Sequence, residues 1–189
     1  MGNALNLPFD PIDRAHENWS ERWGHSPAMA AVTSIMRAQQ LLLGQLDATL
    51  KPYELTFARY EALVLLTFSS TGTLPLGRIG ERLMVHPTSV TNTVDRLEKQ
   101  GLVRRLRNPR DGRGVLAEIT EDGREVVEDA TRDLLAIDFG LDCYAETELS
   151  EIHQLFRRLR VSFGDFVPEE EAAQESTATE AAQEASSEP

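Results

Sequence analysis

The chain has 189 residues, of which 41% are hydrophobic and 26% are charged, so it can form one folded domain with extensions but not two independent catalytic domains. Its apolar runs are much shorter than the roughly 20 residues that a membrane span needs, and its N-terminus lacks the basic and apolar stretches of a secretory signal. We therefore expect a cytoplasmic protein without a membrane partner. Cys143 is the only cysteine and cannot form an internal disulfide.

Charge is distributed unevenly along the chain. The net charge is −12, and residues 165–189 contribute eight acidic and no basic side chains. Residues 76–115 reverse this balance, with nine Arg or Lys against four Asp or Glu. A basic segment in an acidic chain predicts an anion-binding face. From Pro168 onward the composition is reduced to Glu, Ala, Gln, Ser and Thr without aromatic side chains, so residues 166–189 are predicted to form an acidic disordered tail.

The first part of the chain predicts three helices. Capping residues followed by apolar side chains at helical spacing indicate helices over residues 10–23, 26–50 and 56–66. The expected caps are Asp10, Ser26 and Thr56. The second helix has a wide apolar face, which in a small protein requires a partner helix.

The basic segment predicts a helix-turn-helix followed by a hairpin. Residues 76–83 form a short helix, residues 84–86 a tight connection, and Pro87 opens a second helix that runs to residue 101. The strand-like segments 102–106 and 115–119 then flank a polar tip. The fold class is therefore mostly α with a small β-hairpin wing (α+β), a winged helix-turn-helix. Two further helices follow, with Thr120 and Thr147 as the expected caps.

The second helix of this motif has the side chains that a DNA-reading helix needs. Val90, Val94 and Leu97 lie at i, i+4 and i+7, so they bury one stripe and turn short polar groups outward. Such groups reach base edges in the major groove, and a helix N-terminus favours phosphate oxygens. The predicted major-groove residues are Thr88, Ser89, Thr91, Asn92 and Arg96. Taken alone, this helix is equally consistent with an amphipathic helix whose polar face is only solvated.

The polar tip between the two strands carries three arginines, which can place a guanidinium in a narrow minor groove. Arg110 and Arg113 are the predicted groove contacts, and Asp111 is expected to pair with an arginine and hold the tip in shape. The alternative is a solvated charged turn. The expected phosphate contacts are Arg78, Arg82, His86, Arg104 and Arg105.

Several motifs resemble those of one known family. They are residues 55–63 (LTFARYEAL), 76–83 (LGRIGERL), 85–98 (VHPTSVTNTVDRLE), 101–105 (GLVRR), 111–113 (DGR) and 116–120 (LAEIT), with Gly123. Over about residues 26–163 the sequence resembles the MarR family of winged-helix transcription regulators. The resemblance implies a homodimer that binds double-stranded DNA at a pseudo-palindromic operator, usually as a repressor.

The resemblance also implies which parts of the chain form the dimer and which bind DNA. Residues 1–9 would be a flexible N-terminus, residues 10–50 and 121–165 the helices of dimerisation, and residues 51–120 the DNA-binding domain. The extra N-terminal helix resembles a subgroup that senses urate and related small anions, in which a tryptophan of that helix helps form the pocket. The implied contacts to an anionic effector are Trp19, Trp23 and Arg37. Alternatively, the two tryptophans only anchor the helix on the dimer core.

The sequence shows no pattern of catalysis or metal binding. Residues 72–79 lack the Lys and Ser/Thr of a phosphate-binding loop, and no two histidines have i, i+4 spacing. We therefore expect no enzyme, no cofactor and no metal. The competing function is a winged-helix protein–protein interaction module without operator specificity. A further hypothesis is that the acidic tail competes with phosphates for the basic face.

Overall fold

The computed structural model describes residues 6–109 and 114–168, and it confirms the mostly helical fold with a small sheet. Short 3₁₀ turns at Lys51–Tyr53 and Asp138–Gly140 complete the elements. The helices are α1 (Pro11–Trp23), α2 (Pro27–Leu50), α3 (Phe57–Phe68), α4 (Leu76–Leu83), α5 (Pro87–Lys99), α6 (Glu121–Leu135) and α7 (Glu146–Ser162), and the strands are β1 (Thr73–Pro75), β2 (Val103–Arg107) and β3 (Val115–Ile119). The chain divides into two compact units, Met1–Leu141 and Asp142–Pro189.

Three helices begin at the residues that the sequence predicts. Asp10 Oδ1 accepts a hydrogen bond from Ile12 N at 2.7 Å, Ser26 Oγ accepts from Met29 N at 3.4 Å, and Thr120 Oγ1 accepts from the backbone of α6 at 3.0 Å. Each bond satisfies a backbone N–H that has no partner within the first turn of its helix. The caps of α1, α2 and α6 are therefore confirmed.

The predicted cap of α3 has the right position but lacks the capping bond, and the predicted cap of α7 is wrong. Thr56 occupies the N-cap position of α3 without a capping bond, because Asp47 of α2 accepts from Phe57 N at 2.7 Å instead. Thr147 lies inside the first turn of α7, which begins one residue earlier. The Glu148 carboxylate accepts from the backbone N–H of the N-cap residue at 2.8 Å, so an acidic side chain takes the place of the predicted hydroxyl cap.

The sheet has three antiparallel strands in the order β1, β3, β2. The predicted hairpin forms, with Arg104 opposite Glu118 and Arg107 opposite Val115. Strand β1 pairs along the other edge of β3, with Thr73 opposite Glu118. A three-residue strand that ends in proline has too little alternation to be predicted from sequence. The added strand joins the segment before α4 to the wing.

One hydrophobic core holds the first unit together. α4 can cross α5 closely because residue 80 is a glycine, whose added Cβ would lie 3.1 Å from Val90 Cγ2 and 3.2 Å from a backbone carbonyl oxygen. Gly123 likewise lies against the Leu102 carbonyl group, where a side chain would collide. Every element of the winged motif thus contributes to the same interior. The fully buried large side chains are Leu50, Leu63, Leu66, Ile79, Leu97, Leu134, Val94 and Val103.

The second unit contains α7 and the segment that follows it. Leu155, Phe156 and Leu159 are exposed along this helix. Phe166 packs beneath two guanidinium groups, with Arg157 Cζ 5.1 Å and Arg160 Cζ 5.4 Å from the ring centroid. Within residues 6–109 and 114–168, no helix combines the length and apolar character that crossing a membrane demands.

Candidate nucleic-acid interface

Helix α5 presents a polar face over a buried stripe, as predicted. Val90, Val94 and Leu97 are buried, because their spacing places them on one side of the helix against the core. The opposite side carries short hydroxyl and amide groups that can donate and accept hydrogen bonds. Its exposed members are Thr88, Ser89, Thr91, Asn92 and Arg96. The structure therefore brings all five predicted major-groove residues onto one accessible face.

The turn before α5 sets the direction of the helix and places its N-cap residue. Met84 adopts a left-handed backbone conformation, with φ 51° and ψ 40°, which reverses the chain between α4 and α5. His86 then takes the N-cap position, and its Nδ1 accepts from Thr88 N at 3.3 Å. An imidazole whose Nδ1 accepts a hydrogen bond carries its proton on Nε2. That exposed N–H, beside the positive end of the helix, can donate to a phosphate oxygen.

The cations of α4 and α5 differ in how they are paired. Arg78 contacts Glu81 at 3.5 Å within the same helix, and both side chains are well exposed. Such surface pairs contribute little and exchange easily for another anion. Within the described parts of the chain, Arg82 and Arg96 make no ion pair. These two guanidinium groups are therefore available to an anionic partner without breaking an existing contact.

Arg104 and Glu118 face each other across β2 and β3 and form an ion pair. The hydrogen bond lowers the pKa of the Glu118 carboxyl and raises that of Arg104. The Arg104 side chain is nonetheless 66% exposed. It can therefore contact a phosphate while its neighbour keeps it oriented.

Arg105, in contrast, is held by the protein itself. Its Nη1 contacts both Asp95 and Glu98, the latter at 3.2 Å, and its Nη2 donates to the Thr91 carbonyl oxygen at 3.3 Å. Its backbone N–H also donates to Glu98 at 3.1 Å, and its side chain is only 27% exposed. We call the group Thr91, Asp95, Glu98 and Arg105 the Arg105 brace, because it ties β2 of the wing to α5.

Sequence reasoning missed this brace, although a signal was available. Side chains on a strand alternate between its two faces, so Arg105 shares a face with the buried Val103, and Arg104 points the other way. Asp95 and Glu98, three residues apart on α5, then supply the matching carboxylates. Two of the four acidic residues of the basic segment are thus used inside the motif.

The predicted wing residues Arg110, Asp111 and Arg113 lie outside the described residues. The base of the wing is visible: Asn108 N donates to the Gly114 carbonyl oxygen at 2.9 Å, which closes the hairpin. Arg107, at the end of β2, is exposed.

The three predicted effector contacts do not line one cavity. Trp19 and Trp23 contact each other, with ring centroids 4.8 Å apart, and their exposed fractions are 38% and 65%. Arg37 instead lines an open cavity of about 1260 Å³ between residues 6–12 and the middle of α2. Neither tryptophan lines that cavity.

A helix-turn-helix with an exposed polar face on its second helix, followed by a basic hairpin, defines a winged-helix DNA-binding protein. The MarR family model matches residues 58–115. The MarR family regulator Sco5413 from Streptomyces coelicolor is 66% identical, with a TM-score of 0.71 over 75% of this chain and 99% of its own. The chain belongs to the MarR family of transcriptional regulators.

Two further proteins are similar to this chain. YhbI of Bacillus subtilis, an uncharacterized HTH-type transcriptional regulator, is 31% identical over 110 residues, which are 58% of this chain and 69% of YhbI. Sco3205, a MarR family regulator from Streptomyces coelicolor solved in complex with DNA, is 24% identical, with a TM-score of 0.67 over 78% of this chain and 92% of its own. This last similarity is one of fold.

Proposed function

We propose that the protein is a cytoplasmic homodimeric repressor that binds a pseudo-palindromic operator, with α5 in the major groove. The observation that carries the proposal is the exposed face of α5, where Thr88, Ser89, Thr91, Asn92 and Arg96 lie together over a buried stripe. Short polar groups on such a face allow the helix to approach base edges closely. We propose no catalytic activity, which agrees with the relatives above being transcriptional regulators.

The proposed roles follow from exposure and pairing. The five α5 residues contact bases and nearby phosphates. Arg110 and Arg113 make the minor-groove contacts of the wing, and Asp111 pairs with an arginine to hold its tip in shape. Phosphates are bound by Arg78, Arg82, His86 and Arg104, which are exposed. Arg105 was predicted as a fifth phosphate contact, but its internal partners favour a role in positioning the wing.

Dimerisation is proposed through the helices outside the winged motif. Val32 and Met36 of α2 are 47% and 54% exposed. Of the apolar residues of α2, only Leu46 and Leu50 are buried, so much of its apolar face is uncovered. In the second unit α7 also exposes an apolar row. Large exposed apolar surfaces are typical of protein interfaces, and a second copy of the chain would provide the symmetric partner that a palindromic site requires.

An anionic effector that releases the operator is proposed as the regulatory ligand, with Arg37 as its charged contact. The resemblance also implied Trp19 and Trp23 as contacts, but neither lines the Arg37 cavity. Arg37 supplies the positive charge, and the cavity that it lines supplies the space. Calorimetric titration with urate, compared between the parent protein and Arg37→Ala, tests this proposal. Binding that is equal in both proteins, or absent in both, would contradict it.

The main proposal is tested by selecting bound duplexes from a random pool and measuring the anisotropy of the enriched duplex and of a scrambled control. We expect an inverted repeat that binds far more tightly than the scramble. Asn92→Ala should weaken operator binding about 5- to 150-fold, the range of a lost base contact, while changing binding to the scramble little. Arg132→Ala is the control, since this exposed residue of α6 lies outside the winged motif and pairs with Asp129 at 2.9 Å. Equal, salt-sensitive binding to both duplexes would refute operator specificity and favour the protein-interaction alternative.

A further inference from the structure

Two histidines that are nine positions apart meet at the end of α1. The rings of His16 and His25 have centroids 5.2 Å apart and an interplanar angle of 67°. Gly24 makes this possible, because its φ of 92° turns the chain back immediately after the helix. Its N–H donates to the Ser20 carbonyl oxygen at 3.1 Å, which fixes the turn. Neither histidine belongs to the proposed DNA-binding face.

Two buried polar side-chain atoms of α1, one of them on His16, have no hydrogen-bond partner. Within the described residues, three buried side-chain polar atoms have no hydrogen-bond partner, and two of them are His16 Nδ1 and Ser20 Oγ. Residues 16 and 20 lie one turn apart on the same face of α1. A buried polar atom without a partner costs free energy that a bound group can recover. The orphaned ring nitrogen is therefore available to a ligand.

The separation of the rings fits a shared metal ion. A zinc–nitrogen bond of about 2.05 Å places the metal about 3.2 Å from the centroid of each imidazole ring. At the tetrahedral angle of about 109°, two such rings have centroids about 5.2 Å apart. The observed separation of 5.2 Å equals this value. The spacing of the two rings therefore fits one shared tetrahedral ion.

We propose that His16 and His25 bind a divalent transition-metal ion of the zinc class, in a site that nothing in the DNA-binding role requires. Imidazole nitrogen is a preferred ligand of zinc, nickel and copper. Two protein ligands leave two positions to water, and the Ser20 hydroxyl can hydrogen-bond a metal-bound water. The described residues hold no group of three His, Cys, Asp or Glu side chains placed around one ion. A site with two protein ligands differs from a closed structural zinc site, which has four.

The metal would join α1 to the start of α2. His16 lies within α1 and His25 lies in the connection before Pro27, so one ion bridges both sides of the turn at Gly24. Binding then stabilises the arrangement of the extra N-terminal helix, because the metal binds the folded turn and not the extended chain.

The test uses tag-free, full-length protein carrying Cys143→Ser, because the exposed thiol is a competing metal ligand. Cobalt and zinc are added to this parent and to His16→Gln, His25→Gln and His153→Gln. His153 is an exposed residue of α7 and is the matched control. We expect one ion per chain in the parent and in the control, a visible tetrahedral cobalt spectrum, and at least about tenfold weaker binding in each of the other two variants.

A second measurement does not depend on the variants remaining folded. Nitrogen-15 NMR of the parent should show ring-nitrogen shifts of His16 and His25 on addition of zinc, with reversal by a chelator. No binding by the parent, equal binding by all four proteins, or loss in only one of the two histidine variants would overturn the proposal. Operator binding is measured separately, so failure of the metal site leaves the DNA-binding proposal unaffected.

Discussion

The Arg105 brace gives the sharpest test of how the wing is positioned. Arg105→Ala removes the guanidinium contacts with Asp95, Glu98 and the Thr91 carbonyl oxygen. Partly exposed ion pairs contribute up to about 1 kcal/mol each, and a single hydrogen bond contributes a similar amount. With a side chain that is about one quarter exposed, the total loss is about 1–2 kcal/mol. Thermal unfolding should therefore shift downward by about 3–6 °C.

The effect on DNA binding separates a brace from a phosphate contact. If the brace holds the wing and α5 in their binding arrangement, its loss should weaken operator binding by at most the same free energy, about 5- to 30-fold per protomer. The dependence of affinity on salt should not change. A lost phosphate contact would instead reduce the slope of log K against log [salt] by about 0.9 per phosphate. Anisotropy titrations over a salt series measure both quantities.

Two comparison variants complete this experiment. Arg104→Ala changes the neighbouring, exposed arginine of β2, and we expect it to reduce the salt slope. Asp95→Asn removes a negative charge near the DNA, which by simple electrostatics should tighten binding; the brace predicts weaker operator binding instead. If Arg105→Ala reduces the salt slope as Arg104→Ala does and leaves thermal unfolding unchanged, the reasoning about the brace is refuted.

Three further predictions concern stability. Asp47→Ala removes the acceptor of Phe57 N and should cost about 1 kcal/mol, seen as a melting temperature lower by about 2–4 °C; an unchanged value would show that water replaces the cap. Burial raises the pKa of the Glu61 carboxyl above its ordinary value of 4.5, so the folded state binds the proton more tightly than the unfolded state does. The free energy of unfolding therefore falls as the pH rises from 4.5 through the raised pKa. Glu61→Gln should therefore melt about 1–3 °C higher at neutral pH, an advantage that disappears below pH 4.5 and whose persistence there would contradict the assignment. Gly123→Ala places a methyl group against the Leu102 carbonyl and should destabilise by about 1–3 kcal/mol, measured by urea unfolding, where a neutral result would contradict the close approach.

The elements that sequence predicted best are those with local signals. In α5 a buried stripe of three residues, an N-terminal proline and outward polar groups all indicate the same helix, and the structure confirms it. The hairpin strands also follow from a local pattern, β-branched and apolar residues on either side of a polar tip. Where several local signals agree, the fold can be predicted without knowledge of tertiary contacts.

The features that sequence missed depend on residues far apart in the chain. Asp47 caps α3 across ten positions, and no local motif marks it as the acceptor. β1 is a strand only because β3 lies beside it. His16 and His25 are brought together by the backbone conformation of Gly24, and their spacing in sequence matches no regular element. Each of these contacts requires the folded chain to bring its partners together.

The cations of the basic segment, residues 76–115, do not all have the same role. Its nine cations include Arg105, which pairs with two carboxylates and ties β2 to α5, and Arg104, which is oriented by Glu118 yet mostly exposed. Arg82 and Arg96 make no ion pair within the described residues, so they can release counterions from DNA without giving up a protein contact. The salt dependence of operator binding should therefore follow the accessible cations rather than the total, and variants of the braced and accessible arginines should fall into two separate classes.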